Sequence, residues 1–204
     1  SSRSRRPLLG AGEMTRDIRF RTRAIAAMSA LALTLSLAAC AAEPKPAGTL
    51  LPASSTAGLT DADGYIPNGD VLTLKSDKPA ITNLDPALLT ALRSADKAAE
   101  DERGISITIA DGWRSERYQN VLFEQAVQKY HSEEEAAKWV KRGTDSAHVS
   151  GHAVDIATAD AMDFLNRFGS QWGLCQAYAN EMWHFELLTT AGGTCPPMSA
   201  DGRG

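Results

Sequence analysis

The sequence predicts an α+β domain, and three observations carry that expectation. They are a helical stretch opened by Asp85-Pro86, a strictly alternating Ile105-Ser106-Ile107-Thr108-Ile109, and a second alternating run from Trp183 to Leu188. Asp85 is a candidate N-cap with proline in the first turn. Leu88, Leu89, Leu92 and Ala95 continue on one face, so a helix is expected to about Glu100. Ile105, Ile107 and Ile109 fall on one side of a strand that ends at Asp111-Gly112 and delivers Trp113 and Arg114. Leu122, Ala126 and Tyr130 recur at i, i+4 beside Phe123 and Val127, and Ser132 with Glu135 forms a capping box, so two helices are expected over 117–141. Val154–Ala157 reads as a short strand, Ala161–Phe168 as a helix and Trp183–Leu188 as the final strand.

The chain has 204 residues, 43% hydrophobic and 23% charged, the balance of an ordinary globular domain. Its formal net charge of −4 splits into +5 for residues 1–39, with seven arginines against two acids, and −9 for residues 40–204. An acidic body lacks the clustered Lys and Arg that track phosphates, so nucleic acid is excluded as a partner. No internal repeat interrupts the folded part. Residues 61–198 are expected to form one catalytic domain acting as a monomer, followed by a disordered tail over 199–204.

The N-terminal segment reads as an address. Arg16, Arg19, Arg21 and Arg23 precede an apolar run from Ala24 to Ala39, the order of a secretory signal peptide over 1–39, with 1–13 a possible extension upstream of Met14. The run is short and Ala-rich for a membrane span, which needs about 20 predominantly apolar residues. Leu37-Ala38-Ala39-Cys40 resembles the lipobox of bacterial lipoproteins, in which the cysteine is lipidated; a chance cysteine or an uncleaved anchor is the alternative. Lipidated Cys40 and a Pro, Ala, Gly and Ser-rich tether over 40–60 would hold the domain at the outer face of the bacterial membrane, facing the wall. Export permits a Cys175–Cys195 disulfide, against two separate buried thiols; in the chain-entropy model such a loop closure stabilises by roughly 3 kcal/mol.

The chemistry concentrates in two segments, Ser146-Ala147-His148-Val149-Ser150-Gly151-His152-Ala153-Val154-Asp155 and Glu181-Met182-Trp183-His184. A catalytic zinc takes three nitrogen or oxygen ligands and keeps one open position, which His148, Asp155 and His184 satisfy. Gly151 and Ala153 let the chain turn between the first two ligands. Glu181, three residues before His184, is the natural general base. His152 is expected at the cleft rim, His131 solvated at a helix end, and Trp183 packed beneath His184. Neither a Gly-x-Ser-x-Gly elbow nor a His-Glu-x-x-His helix occurs, which removes the serine hydrolase and thermolysin-like readings.

These segments resemble the zinc D-alanyl-D-alanine carboxypeptidases and dipeptidases of the VanY/VanX type (peptidase M15), whose pattern is Ser-x-His-x-x-Gly-x-Ala-x-Asp followed by Glu-x-Trp-His. Gly112-Trp113-Arg114-Ser115-Glu116-Arg117-Tyr118-Gln119 matches a third element of that family, and the likeness spans about residues 80–190. The resemblance implies a small, mostly antiparallel sheet with helices packed on it, the hedgehog/D,D-peptidase-like zinc fold. It further implies one zinc ion on His148, Asp155 and His184, with Glu181 as base, Arg114 at the scissile carbonyl oxygen, and Gln119 and Ser146 holding the substrate's C-terminal end. A solvated helical Gln119 and a turn-capping Ser146 are the bland alternatives. The implied activity is removal of the terminal D-Ala from peptidoglycan stem peptides ending in D-Ala-D-Ala. Alternatives are an L,D-carboxypeptidase, a D-Ala-D-Ala dipeptidase, a wall endopeptidase, or a non-catalytic envelope lipoprotein that binds zinc or wall peptide.

Overall fold

The computed structural model describes residues 55–203, so the expected signal segment, the Cys40 lipidation site and most of the tether lie outside the described residues. The elements run β1 (Leu72–Thr73), α1 (Pro79–Thr82), α2 (Pro86–Arg103), β2 (Thr108–Asp111), α3 (Glu116–Tyr130), α4 (Glu133–Ala136), β3 (Ala153–Ile156), α5 (Ala159–Phe168), β4 (Leu174–Gln176) and β5 (His184–Leu187). The strands form one sheet in the order β1-β2-β3-β5-β4, and every neighbouring pair is antiparallel. The class is α+β, as the sequence predicts.

Local chemistry explains the long helices. The Asp85 carboxylate accepts from the Ala87 and Leu88 amides at 2.9 and 3.1 Å, Pro86 presets the first turn, and Gly104 in the left-handed region ends α2. Its buried stripe of Leu88, Leu92, Ala95 and Ala99 packs on Ile109, Val154, Ile156, Leu174 and Phe185 of the sheet. Each fully buried leucine there contributes about 1.5–3 kcal/mol. α3 is capped by Ser115 and ends at His131, an exposed residue at φ 56°. Phe123 and Ala126 of α3 enclose a smaller cluster with Ala136 of α4.

The alternating isoleucines do not all enter the sheet. The Ile107 amide donates to the Asp96 side chain at 2.7 Å, which ties residues before Thr108 to α2 and starts β2 later than the alternation suggests. β4 and β1 are too short for a period of two to be visible in sequence.

Two expected boundaries are corrected. Leu59 is buried, the Thr60 hydroxyl caps the turn at Asp61–Asp63, and the Gly58 carbonyl accepts from Arg117 at 3.1 Å, so the packed structure begins before Asp61. The tail expected to be disordered is hydrogen-bonded instead. Ser199 pairs with both Ala177 (3.0 Å) and Ala179 (2.8 Å), and the Gly202 amide donates to the Lys138 carbonyl at 3.0 Å. The Cys175–Cys195 disulfide, with Cα atoms 5.7 Å apart, joins β4 to the segment that leads into this strap.

Candidate metal centre

The polar face of the sheet carries the site because side chains alternate across each strand. On β3, Val154 and Ile156 enter the core while Asp155 faces away; on β5, Phe185 enters the core while His184 and Glu186 face away. Asp155 pairs directly with His184 across β3 and β5. A register shift in β2, between Ile109 opposite Ile156 and Asp111 opposite Asp155, moves Asp111 onto the same polar face. His148 comes from the turn before β3. Gly151 holds that turn at φ 77°, where an added Cβ would lie 2.5 Å from the Asn83 carbonyl oxygen, and Trp113 Nε1 braces it by donating to the Val149 carbonyl at 3.1 Å.

The chemistry of the donor set fits a cation. His148 Nδ1 lies 2.8 Å from the Gly112 carbonyl, which can only accept, so Nδ1 carries the proton and Nε2 presents a lone pair. By the same argument His184 Nε2, 2.9 Å from Glu186 Oε1, is the donor and Nδ1 is free to ligate. His148 Nε2, His184 Nδ1 and Asp155 Oδ1 then face one another at 3.2, 3.3 and 3.3 Å. Three lone pairs at that spacing repel unless a cation sits among them. A tetrahedral zinc with bonds of about 2.0–2.1 Å has ligand–ligand edges of about 3.3–3.4 Å, which matches.

Electrostatics supports the assignment. Burial works against charge on Asp155, but His148, His184 and Arg114 outweigh it and hold its carboxyl well below the usual carboxylate range. Burial together with the Arg114 charge lowers the His148 pKa. Burial opposes protonation of His184 too, yet hydrogen bonds from Asp155 and Glu186 win and push it up to about 9. Glu181 reaches the centre on a turn in which the His184 amide donates to the Glu181 carbonyl at 3.1 Å, placing its Oε2 3.9 Å from His184 Nδ1. Burial raises Glu181 to about 7, which suits a group that takes and returns a proton near neutrality.

Arg114, 8% exposed, stands behind the ligands. Its Nη2 contacts Asp155 Oδ2 at 2.8 Å and Asp111 Oδ2 at 3.0 Å, and its Nη1 donates to Gln119 Oε1 at 3.1 Å. Burial opposes the charge, but the two carboxylates keep the guanidinium firmly protonated. Gln119 is only 1% exposed, and its Nε2 donates to the Lys141 carbonyl at 2.6 Å, so the solvated reading of this residue is overturned. Both ends of its amide hold the framework together. Ser146 lines the cleft, and its hydroxyl has no hydrogen-bond partner among the described residues. His152 is exposed, near Ser150 and Asp85, and outside the donor cluster. Trp183 does not pack beneath His184. It is 36% exposed and forms cleft wall, because the ring of Tyr178 occupies the place beside the imidazole at 5.0 Å.

The cleft over the centre has a volume of about 560 Å³ and takes in Arg114, Ser146, Glu181, Trp139 and Lys141. Sequence reasoning missed Asp111, Glu186 and Tyr178. Glu186 had a signal, since a residue two beyond His184 in a strand shares its face. Asp111 had none, because the register shift that turns it inward is a tertiary feature.

The family profile described as VanY, D-alanyl-D-alanine carboxypeptidase, matches residues 82–188. No curated protein matches the sequence. Among solved structures, one similar chain is a variant of the vancomycin-resistance D,D-pentapeptidase VanY from a VanB-type cassette in complex with Zn(II). It is 20% identical with a TM-score of 0.49, covering 65% of this chain and 82% of that one. VanYB in complex with D-alanine-D-alanine is 21% identical at TM-score 0.48, covering 59% and 80%. The LdcB LD-carboxypeptidase is 23% identical at TM-score 0.48, covering 61% and 70%.

Proposed function

The chain belongs to the VanY family of D-alanyl-D-alanine carboxypeptidases, and from that premise we propose that it removes the terminal D-Ala from peptidoglycan stem peptides. The observation that carries this reading is the triangle of His148 Nε2, His184 Nδ1 and Asp155 Oδ1 with Glu181 beside it. A two-imidazole, one-carboxylate set suits zinc and leaves an open position.

When bound, zinc supplies Lewis acidity that polarises the scissile carbonyl and lowers the proton affinity of the attacking water. The protein's residues do the rest. Glu181 takes a proton from the water as its oxygen bonds to the carbonyl carbon, and returns that proton to the amine nitrogen when the C–N bond breaks. Its pKa near 7 lets it do both. Arg114 holds Asp155 in its ligating pose through Nη2, and its Nη1 edge is the group on hand for the oxyanion. Ser146 offers its unpartnered hydroxyl to the substrate's C-terminal end.

Export and lipid anchoring through Cys40 complete the proposal and put the enzyme where its substrate lies. The sequence of residues 1–60 supports that placement, and so does a disulfide, which an oxidising compartment maintains. The deciding experiment is incubation of the protein with a stem pentapeptide ending in D-Ala-D-Ala, with and without a chelator, and weighing of the products. Chelator-sensitive loss of one alanine is expected. An intact pentapeptide, with tetrapeptide or crosslinked peptide cut instead, would replace the D,D-carboxypeptidase reading.

A further inference from the structure

The charges lining the cleft are unequally matched. Asp111 and Asp155 take up the Arg114 guanidinium at 3.0 and 2.8 Å. Lys129 lies at the cleft's exposed outer end, its ammonium 4.9 Å from the Tyr130 ring centre. Lys141 differs from both. It is half-buried, it lines the same cleft as Ser146, Glu181 and His184, and among the described residues no carboxylate lies within ion-pair distance of its ammonium. The one partner of that ammonium is the Tyr178 ring, at 5.5 Å from the centroid.

We propose that Lys141 receives the terminal carboxylate of the substrate, and so restricts the enzyme to peptides with a free C-terminus. The inference rests on the carboxypeptidase reading and deepens it. Three observations support it. First, Tyr178 joins Lys141 to the metal centre: its ring lies 5.0 Å from that of His184 on one side and 5.5 Å from the ammonium on the other. A terminal carboxylate stands one residue, about 3.6 Å, beyond the scissile carbonyl, which is the scale of those steps. Second, the Lys141 backbone is fixed, since its carbonyl accepts from buried Gln119, whose amide is in turn held by Arg114. The residue expected to touch the substrate's end therefore positions the one that does. Third, a half-buried ammonium without a counter-ion keeps part of its desolvation cost until an anion arrives, and a carboxylate there makes a charge-assisted hydrogen bond. An internal peptide bond offers no such charge, and an endopeptidase would have no use for the lysine.

The test compares the zinc-loaded full chain with Lys141→Met and Lys141→Arg, on a stem pentapeptide with a free C-terminal carboxylate and on its C-terminal amide. The wild type is expected to favour the acid. Lys141→Met should raise KM for the acid about 10- to 100-fold with kcat within about threefold, the loss expected for one hydrogen bond to a charged group. Its acid-over-amide preference should vanish, and Lys141→Arg should recover most of it. A Lys141→Met enzyme that keeps the preference overturns the proposal. Calorimetric binding of N-acetyl-D-Ala-D-Ala and its amide separates this outcome from failure of the enzymatic reading. Carboxylate-dependent binding that Lys141→Met abolishes supports the anion site even if no peptide is cut. Equal binding of acid and amide by the wild type refutes it whichever bond is cleaved.

Discussion

Arg114 and Asp155 divide one carboxylate between two tasks: Oδ2 meets the guanidinium at 2.8 Å, while Oδ1 faces His148 and His184 at 3.3 Å. The arginine takes the charge of one oxygen so that the other can be aimed. Removing it by Arg114→Ala leaves Asp111 and Asp155 buried without their cation, which costs about 3–5 kcal/mol when a buried pair is broken. Denaturant unfolding of the zinc-loaded protein measures this. A variant as stable as the wild type would show that the pair is not holding the site.

Glu181→Gln keeps the shape of the side chain and removes the base. Metal stoichiometry should be unchanged, because Glu181 lies outside the ligand triangle, and kcat should fall about 10²- to 10⁴-fold. Metal analysis beside turnover checks both halves. Loss of metal in this variant would make Glu181 a ligand and sink its role as base.

Glu186 fixes the His184 tautomer by accepting from Nε2 at 2.9 Å. Glu186→Ala is expected to weaken metal affinity about 10- to 100-fold, the usual cost of losing a group that orients a ligand. Competition with a chromogenic chelator reads the change. Unaltered affinity would mean that strand β5 alone orients the imidazole.

Metal uptake must displace a proton, since the metal-free His184 titrates near 9 and ligates only when neutral. At pH 7 binding should release about one proton from this group, and apparent affinity should fall about tenfold for each unit below 9. The sign for the chelated protein is opposite. A raised histidine pKa stabilises the fold fully below the ordinary value of 6.5, and that contribution is lost as pH rises through 9. Calorimetry in buffers of different ionisation heat tests the release; a pH-independent affinity contradicts it.

Cys195→Ser should cost about 3 kcal/mol of stability by freeing the closed loop. It should also loosen the strap from Ser199 to Gly202, which pairs with Ala177 and Ala179 on either side of Tyr178. KM should rise while metal binding holds. Thermal melting and steady-state kinetics decide, and an unchanged KM would separate the strap from the cleft.

Much of this was legible in the sequence because it is local. The Asp85 cap and the stripe Leu88, Leu92, Ala95 specify α2 from neighbours within two turns. The strand alternation that sends Phe185 inward sends His184 outward. The ligand trio was readable too, since only those residue types, at positions matching a known pattern, suit zinc.

Other features depend on segments far apart in the chain. Asp111 reaches the site through a register shift against β3, and periodicity within β2 does not record which partner residue it will face. Gln119 reads as a surface helix residue until its amide meets Lys141, 22 residues on, and Arg114. The C-terminal strap looks unstructured until the disulfide and the Ala177 and Lys138 carbonyls order it. The sequence by itself determined the helix and strand faces and the metal-ligand chemistry, which follow from side-chain type and short-range spacing. The tertiary structure alone decided which buried polar atoms pair and which cation stays unmatched, because those pairings depend on strand register and on contacts between distant segments.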